Sequence, residues 1–331
     1  MKKAFVGFDG SVDRIVHPIR SSCTVSNGPK SFFSTISEYG TYLSAKANLS
    51  CSIQLEIATR QMGGNAPIFA NAIADLGIKT TLVGMLGCPA VHPVFEKLKE
   101  KDIDVFSFQH YTETDCYEFQ DGKIIISPFT ENFEDPYESI LKTLMLESFR
   151  LEEYDLVALL NWGEISWMHA LWKNCISHEF SANTLKRTKA IFVDPSDISA
   201  RTDYDISLFL NLLSEMRKNS FVIMSINENE AARLITFYKK NNLTLGQLAE
   251  IIVKNGIVDE ITIHTFQSTI AFNEKEYAER KTRYVEKPVI STGAGDHFNA
   301  GYAFSSVHNY PLREKIDFAN NICFNYLTTG R

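Results

Sequence analysis

Ile290-Ser291-Thr292-Gly293-Ala294-Gly295-Asp296-His297-Phe298-Asn299-Ala300-Gly301 sets three small residues directly before a carboxylate and an apolar stretch. Small residues let backbone amides approach a ligand closely, and the apolar stretch predicts a helix that begins near Gly293. The first amides of such a helix have no intrahelical partner, and the helix dipole adds partial positive charge at the same place. The run therefore reads as a cradle for a transferring phosphoryl group, with Asp296 in the first turn, within reach of an attacking hydroxyl. Taken alone it reads equally as a loop turn whose aspartate complements the dipole. A dinucleotide-binding loop is excluded: Phe298 stands where a third glycine or alanine belongs, and only about 30 residues follow Gly301, too few for the βαβ unit required downstream. A P-loop is excluded too, because no Lys-Ser or Lys-Thr follows a glycine loop at the required spacing.

Outward from this run, strands alternate with helices. Ala4 to Phe8 predicts a buried strand ending at the Asp9-Gly10 turn, and Gly63 introduces a helix from Ala66 to Leu76 and a strand from Thr80 to Leu86. Pro93 to Lys101 reads as a short amphipathic helix. The second half predicts strands at 156–160, 190–193, 221–225, 261–265 and 269–272, helices at 167–179, 206–217 and 228–238, and two closing helices after Gly293. This rhythm implies a mostly parallel sheet covered on both faces, with ligands at the carboxyl ends of its strands. Six loops are candidates for one site there: 9–13, 63–66, 161–164, 194–197, 227–230 and the cradle.

Two stretches break the rhythm. Ser31 to Lys46 has helical spacing and Ser52 to Ile57 alternates like a strand, while Asp121-Gly122 between two short strands signals a hairpin. Both patches are expected to form one small β lid, built from inserted segments at about 17–60 and 108–128, on a single domain spanning 1–331.

The chain is net acidic, 33 Lys plus Arg against 40 Asp plus Glu, and its longest basic cluster is Lys239-Lys240, which argues against a nucleic-acid partner. A polyphosphate ligand would then need local compensation from a divalent metal and backbone dipoles. The six cysteines, Cys23 among them, show no metal spacing and read as free thiols of a cytoplasmic protein. The N-terminal apolar run breaks at Asp9, too early for a signal peptide, and nothing approaches the length of a membrane span.

The six loops together resemble the ribokinase-like (PfkB) carbohydrate kinase family over essentially the whole chain. Thr292-Gly293-Ala294-Gly295-Asp296 with Phe298 and Gly301 is similar to its C-terminal motif, Asn227-Glu228-Asn229-Glu230 to its metal-side element, and Gly63-Gly64-Asn65 to its hinge. The 227–230 stretch reads equally as a helix N-cap with acidic residues at the dipole. The resemblance implies an α/β/α fold and an ATP- and Mg²⁺-dependent kinase. Asp296 is then the catalytic base, and Gly293, Ala294 and Gly295 form the anion hole. Asp13, Gly63, Gly64, Asn65 and Asn161 take the sugar-like substrate. Asn227, Thr292 and Asn320 take the nucleotide, and Glu230 holds Mg²⁺ through water. It also makes a homodimer through the lid plausible.

Some positions depart from that pattern. Ile290 stands where many members carry an Asp tied to a monovalent-cation site, so cation dependence is open. Ile68 replaces a sugar-side Asn, Ser196 follows Asp194-Pro195 in place of an Asn, and His264-Thr265-Phe266 occupies a nucleotide-side turn. His297, next to the base, reads as a packing or loop histidine. The expected acceptor is a small sugar or sugar acid. The alternatives are a nucleoside, with Phe32, Phe33, Tyr39 and Tyr42 stacking on a base, and a catalytically silent ligand-binding regulator.

Overall fold

The computed structural model describes residues 1–21, 30–130, 133–180, 190–239 and 242–330, so Cys23 and Lys240 lie outside the described residues. The chain divides into two compact units.

The larger unit comprises Met1–Gly10, Gly64–His110 and Phe129–Arg331. Among the described residues its strands are β1 (Lys3–Phe8), β5 (Lys79–Gly84), β6 (Ile103–Ser107), β9 (Leu156–Leu160), β10 (Ala190–Asp194), β11 (Phe221–Asn227), β12 (Glu260–His264), β13 (Ser268–Asn273) and β14 (Tyr277–Lys281), numbered along the whole chain. They pair in the order β14-β13-β12-β11-β10-β9-β1-β5-β6. Every neighbouring pair from β6 to β12 is parallel, whereas the pairs β12–β13 and β13–β14 are antiparallel, so β13 runs against the other strands of this sheet. All five residues of β9 and of β10 are buried, as expected where helices cover both faces of a parallel sheet. Apolar sequence therefore gives strands here without any alternation.

Three helices of this unit begin with reciprocal caps that their sequences spell out. Thr202 with Asp205, Asn227 with Glu230, and Thr244 with Gln247 each form a capping box. Helix Asn65–Asp75 has no side-chain cap of its own. Instead Asp9, just past the end of β1, accepts from the amides of Asn65 at 2.8 Å and Ala66 at 2.7 Å. The cap is tertiary, and it fixes where this helix starts relative to the sheet.

The smaller unit comprises Ser11–Gly63 and Tyr111–Pro128. Among the described residues its strands are β2 (Ser11–Ser21), β3 (Ser31–Phe32), β4 (Leu55–Gly63), β7 (Thr112–Phe119) and β8 (Gly122–Ile126), with the helix Ile36–Ser44. Strand β2 pairs antiparallel with β4 and parallel with β7, and β7 and β8 form the hairpin expected at Asp121-Gly122. Phe33 packs on Tyr42 and Tyr39, which in turn meets Tyr117 and Phe119, so these aromatic rings form this unit's own small core. Phe32 packs on His17.

Several elements differ from expectation. The loop expected at 9–13 is the start of β2, so Asp13 lies in a strand; β2 then runs through Pro18, tolerated because its pairing with β7 stops at Val16. The strand expected at 52–57 runs instead from Leu55 to Gly63, because its partner β2 sets the register from Pro18 to Ser11. Helices Pro136–Leu144 and Leu245–Lys254 and strands β6 and β14 are further elements. Strand β14 is a polar edge whose only strong apolar signal is Ala278.

Candidate active site

At the carboxyl ends of the parallel strands four buried carboxylates gather: Asp9, Asp194, Glu230 and Asp296. Asp296 occupies the first turn of helix Ala294–Val307, whose N-cap Gly293 has a left-handed φ of 89°. The left-handed turn excludes most side chains, and a Cβ on Gly293 would also come within 3.2 Å of Ile68 Cγ2. Ile68 thus packs beneath the turn. At the other end of the motif, a Cβ on Gly301 would meet Ala319 Cα at 3.0 Å, so this glycine lets helix Leu312–Thr329 pack closely. Phe298 is buried against the His264 ring.

Asn65 ties the acids together. Its side-chain amide donates to Asp296 Oδ1 at 3.0 Å and to Asp194 Oδ2 at 3.5 Å. Asn299, one turn beyond Asp296 on the same helix face, donates to the same Asp194 oxygen at 2.7 Å and accepts from Ser225 Oγ at 2.6 Å. The Ser196 amide, in a residue with a left-handed φ of 58°, caps Asp194 Oδ1. Asn161 spends its amide on Asp9 and Glu164, both at 3.0 Å. Glu230 receives the Asn227 backbone and side-chain amides at 2.8 and 2.5 Å.

Burial dominates the electrostatics. It raises Asp9 and raises Asp194 to about 6, the neighbouring charges of Asp9 and Glu164 adding to the latter. It also pushes Glu230 well above the usual carboxylate range, with the Asp194 charge adding to the effect. Burial holds His264 neutral, pushed down to about 4, and lowers His297. Burial disfavours the charged form of these closely placed acids, a cost that a nearby positive charge reduces.

The predicted residues Gly64, Asn65, Asn161, Asn227, Glu230, Thr292, Gly293, Ala294, Gly295 and Asp296 all belong to the larger unit, as does Asn320, which accepts from Thr269 Oγ1 on β13 at 2.9 Å. Asp13 and Gly63 belong to the smaller unit. There Asp13 is buried and accepts from Ser11 Oγ, and a Cβ on Gly63 would fall 1.9 Å from its Oδ1. Gly63 therefore makes room for that carboxylate. Sequence reasoning had not singled out Asp9, Asp194 or Asn299 as site residues. For Asn299 a signal existed, its i+3 spacing from Asp296. For the two aspartates the signal was their position at strand ends.

Thr292 Oγ1 is buried and, among the described residues, has no hydrogen-bond partner. An orphaned hydroxyl beside a helix N-terminus and a left-handed glycine suits an incoming phosphate oxygen. Among the described residues no group of three or more His, Cys, Asp or Glu is placed to hold a metal ion, and no helix is long and apolar enough to cross a membrane.

Solved structures share this architecture. A candidate ribokinase II from Escherichia coli, in complex with ATP and Mg²⁺, superposes with a TM-score of 0.65 at 13% identity, covering 99% of this chain and 93% of that one. The adenosine kinase from Sinorhizobium meliloti gives 0.66 at 14% identity, covering 100% and 94%. The fold is that of the ribokinase-like (PfkB) kinases, and the protein is a carbohydrate kinase. More narrowly, the chain belongs to the prokaryotic ketohexokinase family, whose pattern it matches over residues 2–331. A curated relative, the ketohexokinase of Haloferax volcanii, is 22% identical over 337 aligned positions, 99% of this chain and 87% of that protein.

Proposed function

We propose that the protein transfers the γ-phosphoryl group of Mg²⁺·ATP to a hydroxyl of a ketohexose. The observation that carries the reading is the pairing of Asp296, at the head of a helix opened by a left-handed glycine, with the Asn65 amide at 3.0 Å. That bond holds the carboxylate in one rotamer. A sugar hydroxyl arriving beside it would lose its proton to Asp296 as its oxygen attacks the γ-phosphorus and the bond to the β-phosphate oxygen breaks. The amides of Gly293, Ala294 and Gly295 face the charge on the phosphoryl oxygens, and Thr292 Oγ1 supplies a further donor. Mg²⁺ arrives with the nucleotide as substrate. Glu230, with Asn227, would hold its waters, and the ion's charge would offset the cost of ionising the buried acids.

Asn65 and Asp13 are the acceptor-side groups in this reading, Gly63-Gly64 the hinge, and Asn161 sets Asp9 in place. The smaller unit acts as a lid that limits ATP hydrolysis, and a dimer through it fits the same reading. Asn320 flanks the adenine. A ketohexose is favoured over a nucleoside because Phe33, Tyr39 and Tyr42 are committed to one another, and because the family match is to ketohexokinases. The test is Mg²⁺-dependent ADP release with a panel of ketohexoses, aldohexoses, sugar acids and nucleosides, with ³¹P NMR of the product. Ketohexose 1- or 6-phosphate is the expected product; a phosphorylated nucleoside, or no turnover with any ketohexose, overturns the reading.

A further inference from the structure

Two side chains with no assigned part in the chemistry close on the carbonyls of the cradle turn. Tyr326, near the end of helix Leu312–Thr329, donates its hydroxyl to Thr292 O at 2.6 Å. His297 places Nδ1 2.8 Å from Gly293 O, which also accepts the His297 backbone amide at 3.1 Å. A carbonyl only accepts, so the imidazole proton is assigned to Nδ1. The two rings stack 3.6 Å apart at 17°, each holding the other in place. A Cβ on Gly293 would lie 3.1 Å from the Tyr326 hydroxyl, so only glycine fits between the brace and Ile68.

A peptide unit is planar and trans, so its C=O and the next residue's N–H point in opposite directions along one rigid plane. Fixing Thr292 O from behind therefore aims the Gly293 N–H, and fixing Gly293 O aims the Ala294 N–H. Ala294 N donates to Ser291 O over a long 3.3 Å, a bond that a stronger acceptor can replace. Donors already aimed at the developing charge need no reorganisation during the reaction, which is where such groups gain their effect. We propose that Tyr326 and His297 are positioning residues that pre-orient the cradle amides toward the transferring phosphoryl group. This rests on the phosphoryl-transfer reading above.

The test uses the full chain and four variants, assayed with Mg²⁺·ATP and the best ketohexose of the panel. Tyr326→Phe keeps the stacked ring and removes one donor; it should lower kcat about tenfold with the ketohexose KM and the melting temperature nearly unchanged. Binding of Mg²⁺·ADP with aluminium fluoride, a mimic of the transferring group, should weaken by the same factor while Mg²⁺·ADP alone binds as before. His297→Leu should act in the same direction, and His297→Asn, whose amide can stand where Nδ1 stood, should recover most of the loss. Asp296→Asn is the control. If it is inactive while Tyr326→Phe and His297→Leu both turn over like the wild type, the brace is overturned and the kinase reading stands. If Asp296→Asn itself turns over like the wild type, the underlying reading falls and the brace with it. Parallel loss of kcat and aluminium fluoride affinity, reversed by His297→Asn, supports the brace.

Discussion

Helix Ala294–Val307 runs between two buried polar clusters that are built on opposite principles. Around Tyr302, Glu260 is only 1% exposed, yet Lys315 Nζ lies 2.7 Å from its Oε1, the Tyr302 hydroxyl 2.9 Å away, and Asn273 donates to its other oxygen at 3.1 Å. The charge is matched by the protein itself. At the head of the helix, Asp9, Asp194 and Glu230 are held by amide donors, and burial pushes all three upward. A finished structural cluster satisfies its own charge, whereas an acid group left at a strain of solvation is suited to a cation that comes and goes. In the proposed reaction that cation is the Mg²⁺ of the nucleotide.

The strongest way to break this contrast is at Asp296. Asp296→Asn should lower kcat by about 10³-fold or more with sugar affinity little changed, read by coupled ADP release and isothermal titration. At the other cluster the effect should fall on stability. Lys315→Met strips Glu260 of its counter-charge and should cost about 3 kcal/mol in urea unfolding, while turnover of the folded protein stays near wild type. A large loss of kcat there would erase the distinction between the two clusters.

pH sharpens the comparison further. Asp194 titrates at about 6 against an ordinary 3.8, so between these values the native protein holds a proton the unfolded chain has lost. Its contribution to stability is present below 3.8 and lost as pH rises through 6, a change of about 3 kcal/mol. A bound cation would offset that loss. The rise in melting temperature given by a fixed concentration of Mg²⁺·ADP should therefore grow between pH 5 and pH 7, and a flat profile would contradict the role assigned to the acids. The smallest expected effect concerns monovalent ions. With Ile290 carrying no carboxylate and Thr292 O already occupied by the Tyr326 hydroxyl, exchanging K⁺ for tetramethylammonium should change kcat less than about twofold.

Much of the candidate site was legible because its parts are local. Gly293 to Asp296 announces a helix N-terminus, and Asn227 with Glu230 spells a capping box that the structure forms. Both clues act within four residues, the range over which a sequence constrains its own backbone. Asp9 was not legible as a helix cap because its partners Asn65 and Ala66 are more than fifty positions away. Nor was the brace: His297 read as a packing residue, and only the fold brings Tyr326 against it. The parallel pairing of β2 with β7 escaped for the same reason, since local alternation says nothing about which distant strand will be the neighbour.

By itself the sequence determined the α/β alternation, the buried strands and the glycine turn with its first-turn aspartate at the head of one helix, because hydrophobic period, caps and glycine conformations are set over a few residues. Only the tertiary structure decided which acids share a cluster, that Asn65 bridges two of them, and that the Tyr326 hydroxyl reaches the Thr292 carbonyl. Those outcomes depend on which distant strand ends and helix termini are packed side by side, and that is a property of the assembled sheet.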